Sequence, residues 1–448
     1  MPRRDRLRVV AWRARGRRWA CARRPGSRPS GHTRRYVWRV FRATWRYTMS
    51  RHTTITGGSM FDAIGGRFVP NPGIVLDGGV IAQVGDVGQR GELIDATGKT
   101  VIPGLMNLHG HLAWDGFSDL EGQSRHDGPM LYVKLARGLI SAVEAGVTTF
   151  RDLGGVHDTG LVARQAQRDG LIAGPKVLTC GRAICRTGGH IWYGNRVADG
   201  PDDVRKATRE QIRDGADWIK LMAHAYTLEE LRACVEQAHE QGVPVTTDAG
   251  VWAANAVEAG VDCIEHGGDY DDALVERIRE RGVWIVPTLS PVVLQARNGH
   301  AWGLKQSVID RRNAQLADKG RHEGLVRARK AGVRFAFGTD SGSPVVPHDA
   351  ILAEMQQLLE FGVFEREAEV LQAATIRGAE LIGQEERTGS LEAGKAADVV
   401  LLAGDLAADL SVIERVERVW VDGRPMVVDG AARRPDPRDF RTFSNVGA

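Results

Sequence analysis

The sequence is poor in the features that define several protein classes. It has only five cysteines, at scattered spacings and without a Cys-x-x-Cys pair: Cys21, Cys180, Cys185, Cys234 and Cys263. This argues against a disulfide framework and favours the reducing cytoplasm as the location. No uninterrupted apolar run approaches the roughly 18 to 20 residues of a membrane span, so no membrane partner is expected.

Acidic residues are almost missing from the first 48 residues, which hold 16 arginines, no lysine and a single acid, Asp5. The net charge of +4 therefore hides an acidic remainder that carries −11. The apolar segment of a secretory signal is also missing. Three interpretations stay open: a transit peptide, a nucleic-acid-binding arm, and upstream sequence translated from a misplaced start before Met49. We favour the third, expect no nucleic-acid partner, and predict a disordered extension over residues 1–50.

The rest of the chain begins and ends with short strand patterns around Asp-Gly turns. "GIVLDGGVIAQVGD" near the start and "VERVWVDGRPMVVDG" near the end each predict a strand, a turn and a strand. Two such segments can pair across the chain. We therefore predict one small β-sandwich domain built from residues 51–103 and 385–440, with everything between them inserted.

The inserted region, residues 104–384, alternates short apolar runs with helical patterns. The helical stretch "TLEELRACVEQAHEQG" shows the spacing of one buried stripe. The apolar runs are "TVIPGLMNLH", "GVTTFRDLG", "PKVLTCG", "DWIKLMAH", "VPVTTDAG", "VDCIEHG", "VWIVPTLSP" and "VRFAFGTDSG". Eight strand–helix units predict an α/β fold of the (β/α)8 TIM-barrel type, with a doubly wound sheet as the alternative. Function in such barrels lies at the carboxyl ends of the strands.

Those strand ends carry residue types that suit a metal site. His109 and His111 follow strand 1 and face the same way, because side chains alternate along a strand. Lys220 lies in strand 4 among apolar neighbours, where an unpaired ammonium is costly to bury. His266 and Asp340 end strands 6 and 8. Each has an ordinary structural explanation taken alone, and an HxH pair by itself is as often a plain loop.

Together these phrases resemble the metal-dependent amidohydrolase superfamily, and within it the imidazolonepropionase-like and prolidase-like (Xaa-dipeptidase) branch. The resemblance covers residues 52–430. The phrases that carry it are "VIPGLMNLHGHL", "GVTTFRDLGG", "GPKVLTCGRAICRTGGH", "GADWIKLM", "AGVDCIEHG", "FAFGTDSG" and "GSLEAGKAADVVLL".

The resemblance implies a role for each matching residue. His109 and His111 would bind one divalent ion, zinc or alternatively manganese. Lys220 would carry a carbamate derived from CO2 and bridge to a second ion, which His266 would bind. Asp340 would bind the first ion and transfer the proton of a metal-acidified water, the nucleophile on the scissile carbonyl.

One position departs from the family pattern. The fifth strand is followed by a ligand histidine in the family, whereas "VTTDAG" places Asp248 there. Two divalent ions, a carbamate, ionised Asp340 and one hydroxide together keep a net positive charge. Asp248 would cancel that charge if it were a further ionised ligand. Three interpretations stay open: a substitute ligand, a mononuclear enzyme, or a dead site. His224, four residues after Lys220, either replaces the missing imidazole or lies at the pocket rim.

Further residues are predicted to surround the substrate. His190, in the glycine-rich "TGGH", is expected to lie near the substrate carbonyl or its acid group. Other substrate-binding candidates are His224, Tyr226 and His348, and an aromatic wall could be built from Trp114, Trp192 and Trp252. Arg151 and Asp152, which end strand 2, are expected to form an ion pair.

The predicted function is metal-dependent hydrolysis of a C–N bond in a small amide, such as a dipeptide, an N-acyl amino acid or a cyclic amide. Ester or lactone cleavage is a close variant. Two other classes stay open: a barrel that binds a ligand without turnover, suggested by Asp248, and nucleic-acid binding through the basic extension. The partner expected is a small-molecule substrate, and the resemblance allows a homo-oligomer.

Overall fold

The computed structural model describes residues 52–117, 120–124 and 128–433, so the extension predicted for residues 1–50 lies outside the described residues. The first segment is rich in β structure, as its turn punctuation predicts. Its strands are β1 (Thr53–Thr56), β2 (Ser59–Asp62), β3 (Arg67–Pro70), β4 (Ile74–Asp77), β5 (Val80–Val84), β6 (Glu92–Asp95) and β7 (Thr100–Pro103).

Each of the eight apolar runs of the central region contains a strand. These are β8 (Leu105–Gly110), β9 (Val147–Asp152), β10 (Lys176–Thr179), β13 (Ile219–Met222), β14 (Val245–Asp248), β15 (Cys263–Glu265), β16 (Trp284–Val286) and β17 (Arg334–Phe335). Two short strands, β11 (Ile184–Cys185) and β12 (Arg196–Val197), lie between β10 and β13. All pairings among these strands are parallel.

The parallel strands form two ladders instead of the single closed barrel that was predicted. One has the order β10-β9-β8 and the other β12-β11-β13-β14-β15-β16-β17. The ladders are interrupted because β10 ends at Thr179 and β17 has only two residues. Backbone hydrogen bonds still cross both gaps: the Asp217 N–H donates to the Thr179 carbonyl (2.7 Å), and the Leu108 N–H donates to the Phe337 carbonyl (2.9 Å).

Helices connect the parallel strands. In the described part of the chain they are α1 (Leu120–Ser124), α2 (Gly128–Glu144), α3 (Thr159–Arg168), α4 (Gly200–Asp214), α5 (Leu228–His239), α6 (Ala253–Ala259), α7 (Asp272–Glu280), α8 (Ser290–Asn298), α9 (Gln306–Ala317), α10 (Gly320–Lys330), α11 (Ile351–Glu360), α12 (Glu367–Ala373) and α13 (Ile376–Leu381). Helix α5 shows the local logic: Thr227 and Glu230 form a capping box, and Leu231, Val235 and Ala238 are buried on one stripe. None of the helices in the described ranges has the length and apolar character needed to cross a membrane.

The two chain ends meet in one sheet. The last strands are β18 (Val399–Leu402), β19 (Val416–Val421), β20 (Arg424–Val428) and β21 (Ala431–Ala432). Strand β18 pairs antiparallel with β7, which joins both ends in a seven-stranded sheet of order β21-β20-β19-β18-β7-β2-β3. A four-stranded sheet, β5-β4-β1-β6, completes this region. Both predicted hairpins, β4-β5 and β19-β20, are confirmed.

The terminal sheets and the parallel sheets belong to one compact unit. A shared apolar cluster contains Ile55 and Leu76 from the four-stranded sheet and Leu401 and Trp420 from the seven-stranded sheet. The Lys176 ammonium on β10 lies 2.5 Å from the carboxylate of Asp398, the residue before β18. The parallel strands are thereby held against the sheet formed by the chain ends.

Gly338 allows the chain after β17 to approach β8 closely, and we predict that Gly338→Ala destabilises the protein. A Cβ there would lie 2.7 Å from the His109 Cβ and 2.9 Å from the His109 backbone nitrogen. Overpacking of this kind costs about 1 to 3 kcal/mol of the free energy of unfolding. Chemical denaturation checks this, with Gly88→Ala, whose Cβ meets nothing within 4 Å, as the neutral control. Equal stabilities of the two variants would contradict the prediction.

Candidate metal centre and active site

Three buried side chains converge where β8 and β17 end. The His111 Nε2 lies 3.1 Å from the Asp340 Oδ1, and the His109 Nε2 lies 3.6 Å from the same oxygen. Ligand atoms of all three lie within 4.8 Å of one another, and within the described ranges this is the one such cluster of three or more His, Cys, Asp or Glu residues. The spacing matches donors around one divalent ion, with room for bonds of about 2.0 to 2.2 Å.

Backbone hydrogen bonds hold the three groups in place. The Asp340 N–H donates to the His109 carbonyl (2.8 Å), and the His111 N–H donates to the Ser341 carbonyl (2.7 Å). Asn107, two residues before His109, accepts from the Thr339 N–H (3.1 Å) and donates to the Thr339 hydroxyl (2.8 Å). The strand end that carries two ligands is therefore tied to the loop that carries the third.

The far side of each imidazole is also fixed. The His109 Nδ1 lies 2.7 Å from the Glu265 Oε2, and the His111 Nδ1 lies 2.7 Å from the Gly154 carbonyl. Both Nδ1 atoms therefore act as donors, which would leave the Nε2 lone pairs free for a metal ion. Without an ion, the His111 Nε2–H donates to Asp340, and this contact raises the pKa of His111 despite its burial. Burial, reinforced by the charge of Lys220, lowers the pKa of His109 and favours the neutral ring that binds metal. The donor set thus fits a divalent metal ion.

The comparison with protein families decides the assignment. The protein-family sequence model described as "Amidohydrolase family" matches residues 100–426. This chain belongs to the amidohydrolase family. The superfamily predicted from the sequence is confirmed, and so is the prediction of a metal-dependent hydrolase that acts on carbon–nitrogen bonds.

Individual relatives agree with the family. The chain is 29% identical to the ochratoxinase of Aspergillus niger over 422 residues, which cover 80% of this chain and 83% of the relative. It is 25% identical to the imidazolonepropionase of Micrococcus luteus, over 81% of this chain and 96% of that protein. A crystal structure of a Xaa-Pro dipeptidase with bound methionine is similar with a TM-score of 0.76 and 28% identity, over 84% of this chain and 99% of that one. Such structural neighbours imply a TIM-type barrel.

A second group of site residues lies beside the first. The Asp248 carboxylate is 3.7 Å from the His266 Nε2 and 3.8 Å from the His224 Nε2, through different oxygens. The His266 and His109 rings are neighbours, with centroids 4.6 Å apart. Burial opposes the ionisation of Asp248, yet His266, Lys220 and His224 together hold the pKa of this carboxyl below its ordinary value. Asp248 is thus an anion with imidazoles on two sides.

Lys220 is buried on a strand of this amidohydrolase, as the sequence pattern predicts. It is 1% exposed on β13, opposite Thr246 of β14. Among the described residues, no carboxylate oxygen lies within 4 Å of its Nζ. A bare ammonium in this position is poorly compensated.

Two metal-site residues have backbone conformations that are unfavourable for residues with side chains. His266 has φ +69° and Asp340 has φ +58°, both in the left-handed region. Thr288, with φ +37°, lies 2.5 Å from the His266 Nδ1 through its hydroxyl. Such strain costs of order 1 to 3 kcal/mol per residue and is characteristic of functional sites.

The expected pairing of Arg151 with Asp152 is wrong. The Arg151 guanidinium instead lies 2.8 Å from Glu265, and both side chains are fully buried. Asp152 accepts hydrogen bonds from the Leu112 N–H (2.9 Å) and the Thr179 hydroxyl (3.0 Å). Consecutive residues of a strand point to opposite faces, so neighbours in sequence rarely pair with each other. Sequence reasoning missed Glu265, although a glutamate inside the apolar "VDCIEHG" is the same kind of signal as Lys220.

The candidate substrate residues divide into two groups. His190 is exposed, and its ring lies 5.6 Å from the His224 ring, which in turn lies 5.1 Å from Trp252. These three residues form a row that reaches Asp248 through His224. His190 and His224 therefore remain candidates for contact with substrate.

Tyr226 and His348, predicted to bind substrate, are instead buried in contacts within the protein. The Tyr226 hydroxyl donates to the Ala198 carbonyl (2.7 Å), because the turn before α5 directs this ring inward. His348 is buried between the Trp114 carbonyl (2.9 Å) and the Ser341 hydroxyl (3.2 Å). The predicted aromatic wall is only partly assembled: Trp252 contacts His224 and Trp114 contacts His111.

We predict that Glu265→Gln both destabilises the protein and weakens metal binding. The change leaves the buried Arg151 without its anion, and breaking a buried pair costs about 3 to 5 kcal/mol. It also leaves one acceptor oxygen for the donors of both Arg151 and His109, since the other oxygen becomes an NH2 group. Losing the fixed orientation of His109 is expected to cost about 10 to 100-fold in metal affinity. Denaturation and metal titration measure the two effects.

The matched control is Glu276→Gln, which breaks the exposed pair with Arg279. It is expected to change stability by less than about 0.5 kcal/mol and to leave metal affinity unchanged. Glu265→Gln with unchanged metal affinity would show that Glu265 does not orient His109.

Proposed function

We propose that this amidohydrolase cleaves the amide bond of a small substrate such as a dipeptide, an N-acyl amino acid or a cyclic amide. The observation that carries the proposal is the convergence of His109, His111 and Asp340 at the ends of parallel strands. The similarity to a Xaa-Pro dipeptidase supports a peptide-like substrate. Ester or lactone cleavage is the close variant, since the same attack on a carbonyl carbon serves both.

Asp340 is the residue that would transfer the proton. A divalent ion, zinc or alternatively manganese, would supply a Lewis acid and an acidified water at this site. The Asp340 carboxylate would accept the proton that the water loses as it attacks the carbonyl carbon. It would return that proton to the amide nitrogen as the C–N bond breaks, so one acid and one amine result. His190, at the open side, would contact the substrate carbonyl or its acid group.

Lys220 would carry a CO2-derived carbamate. The support for this is its burial without a carboxylate partner among the described residues, close enough for its charge to act on both His109 and Asp248. Carboxylation turns a costly buried cation into an anion that can bind two divalent ions.

Asp248 would take the place of the missing histidine at the second ion, together with His266. The separations of 3.7 and 3.8 Å from His266 and His224 support this, because ligands of one ion lie at comparable distances from each other. A hard carboxylate oxygen is a weaker partner for zinc than imidazole. The second ion is therefore expected to bind less tightly than the first.

The finer architecture is part of the same proposal. The two parallel ladders would form one (β/α)8 barrel over residues 104–384, supported by the backbone hydrogen bonds that cross both gaps. Residues 51–103 and 385–440 would form a small β-sandwich domain, supported by the apolar cluster that both terminal sheets share. The free thiols of all four described cysteines support a cytoplasmic location.

Metal content tests the proposal. We predict two ions per chain in protein prepared with bicarbonate and excess Zn²⁺ or Mn²⁺, and hydrolysis of at least one member of a panel of dipeptides and N-acyl amino acids. Lys220→Ala is expected to lose metal. Its rate of hydrolysis is expected to fall by more than the roughly 10 to 100-fold that follows when a residue that only orients a metal ligand is lost. Asp248→Ala is expected to keep one ion.

The control is Lys206→Ala, which changes an exposed lysine on α4. It should keep both ions and full activity. Two ions in Asp248→Ala would exclude Asp248 as a ligand. Wild-type protein that binds no metal and hydrolyses no amide would overturn the proposed function.

A further inference from the structure

Two arginines beside the site have no anionic partner. Arg312 on α9 and Arg321 on α10 belong to the long segment between β16 and β17. Both are half-buried, and no carboxylate oxygen of the described residues lies within 4 Å of either guanidinium. Two other half-buried arginines, Arg164 and Arg196, are paired with Asp217 (2.5 Å) and Glu210 (2.8 Å), whereas Arg182 and Arg186, farther along the chain from these helices, have no carboxylate within 4 Å among the described residues.

Arg321 contacts the backbone of His266, a candidate ligand. Its Nη2 donates to the carbonyl of His266 (3.0 Å), while its Nε is buried and has no hydrogen-bond partner. Gly324, one turn later, allows this approach, because a Cβ there would lie 2.2 Å from the Gly268 carbonyl oxygen. Tyr270 is fully buried beside the same loop, and its hydroxyl also has no partner. Two donors next to His266 are therefore unused.

Arg312 approaches from the Asp340 side. Its Nε donates to the Gln295 amide oxygen (2.8 Å), and Gln295 donates to the carbonyl of Pro344 (2.9 Å). Pro344 follows Asp340 by four residues, so Arg312 lies over the loop that carries the metal-site carboxylate. Burial, with repulsion from Arg311 and Arg321, lowers the pKa of Arg312 to about 10, so the group stays cationic at neutral pH.

Neutral acceptors hold both guanidinium groups, and the carboxylates that attract them, Asp248, Glu354 and Asp340, lie beyond 4 Å. The site carboxylates are more distant, and bound divalent ions would neutralise those carboxylates. An unpaired, partly desolvated cation is costly, and planar guanidinium groups suit a bidentate carboxylate. The arrangement calls for an anion that arrives with the substrate.

We propose that Arg321 and Arg312 bind a free carboxylate of the substrate, next to the amide that is cleaved. This inference rests on the proposed function and narrows it: dipeptides and N-acyl amino acids are substrates, whereas cyclic or open-chain amides without a carboxylate are poor ones. Arg321 binds the carboxylate beside His266, and Arg312 binds it from the side of Asp340.

Binding of ligands that cannot be hydrolysed tests this inference. The probes are N-methanesulfonyl-L-phenylalanine and N-methanesulfonyl-L-leucine, each compared by calorimetry with the neutral alcohol in which CH2OH replaces the carboxylate. The wild-type, metal-loaded protein is expected to bind at least one acid about tenfold or more tightly than its alcohol, as for hydrogen bonds to a charged group. Arg321→Met and Arg312→Met are each expected to reduce that ratio towards one, and Arg321→Lys to reduce it partly.

The matched control is Arg311→Met, which removes an exposed arginine from the same helix and should keep the ratio. Equal weakening of acid and alcohol in Arg321→Met would mean that Arg321 only positions His266, and would overturn the inference. So would a wild-type protein that prefers neither acid. A carboxylate preference in a protein that hydrolyses no amide would refute the proposed function and leave the carboxylate site standing.

Discussion

The buried carboxylate of Glu265 is the interaction on which the rest of the site depends. It belongs to β15 and contacts His109 from β8, Arg151 from β9 and the Thr246 hydroxyl from β14. One side chain thus connects four strands of the two parallel ladders. Because Arg151 offsets its charge, Glu265 stays ionised without water and can orient an imidazole. The same pair that holds the strands together therefore positions His109, a candidate metal ligand.

Two further candidate ligands, His266 and Asp340, are strained loop residues that neighbouring elements hold in place. His266 and Asp340 have left-handed backbones that local preference would not select. Behind His266, Thr288 is anchored because the carboxylate of Glu354 on α11 accepts from the next two backbone N–H groups, those of Leu289 and Ser290, at 2.7 Å each. The ligand positions are thus imposed by packed helices and strands, which favours a preorganised site.

The charge distribution around the site is uneven. Asp248 places a carboxylate beside the imidazoles of His266 and His224. On the other side, Arg312 and Arg321 present cations without anionic partners among the described residues. In the proposed function, this site would bind metal at its base and a negatively charged substrate on the side of α9 and α10.

The sequence by itself determined the eight strand positions, the pairing of His109 with His111 on one face, and the burial of Lys220. These follow from side-chain alternation, which is local. Tertiary structure decided which groups meet. Glu265 contacts His109 across 156 residues of sequence, and Arg151 pairs with Glu265 and not with the adjacent Asp152. The packing of strands and helices also decided which groups pair with buried charges, where the ladders are interrupted, and why Tyr226 turns inward. The hydrophobic periodicity of the sequence does not encode this packing.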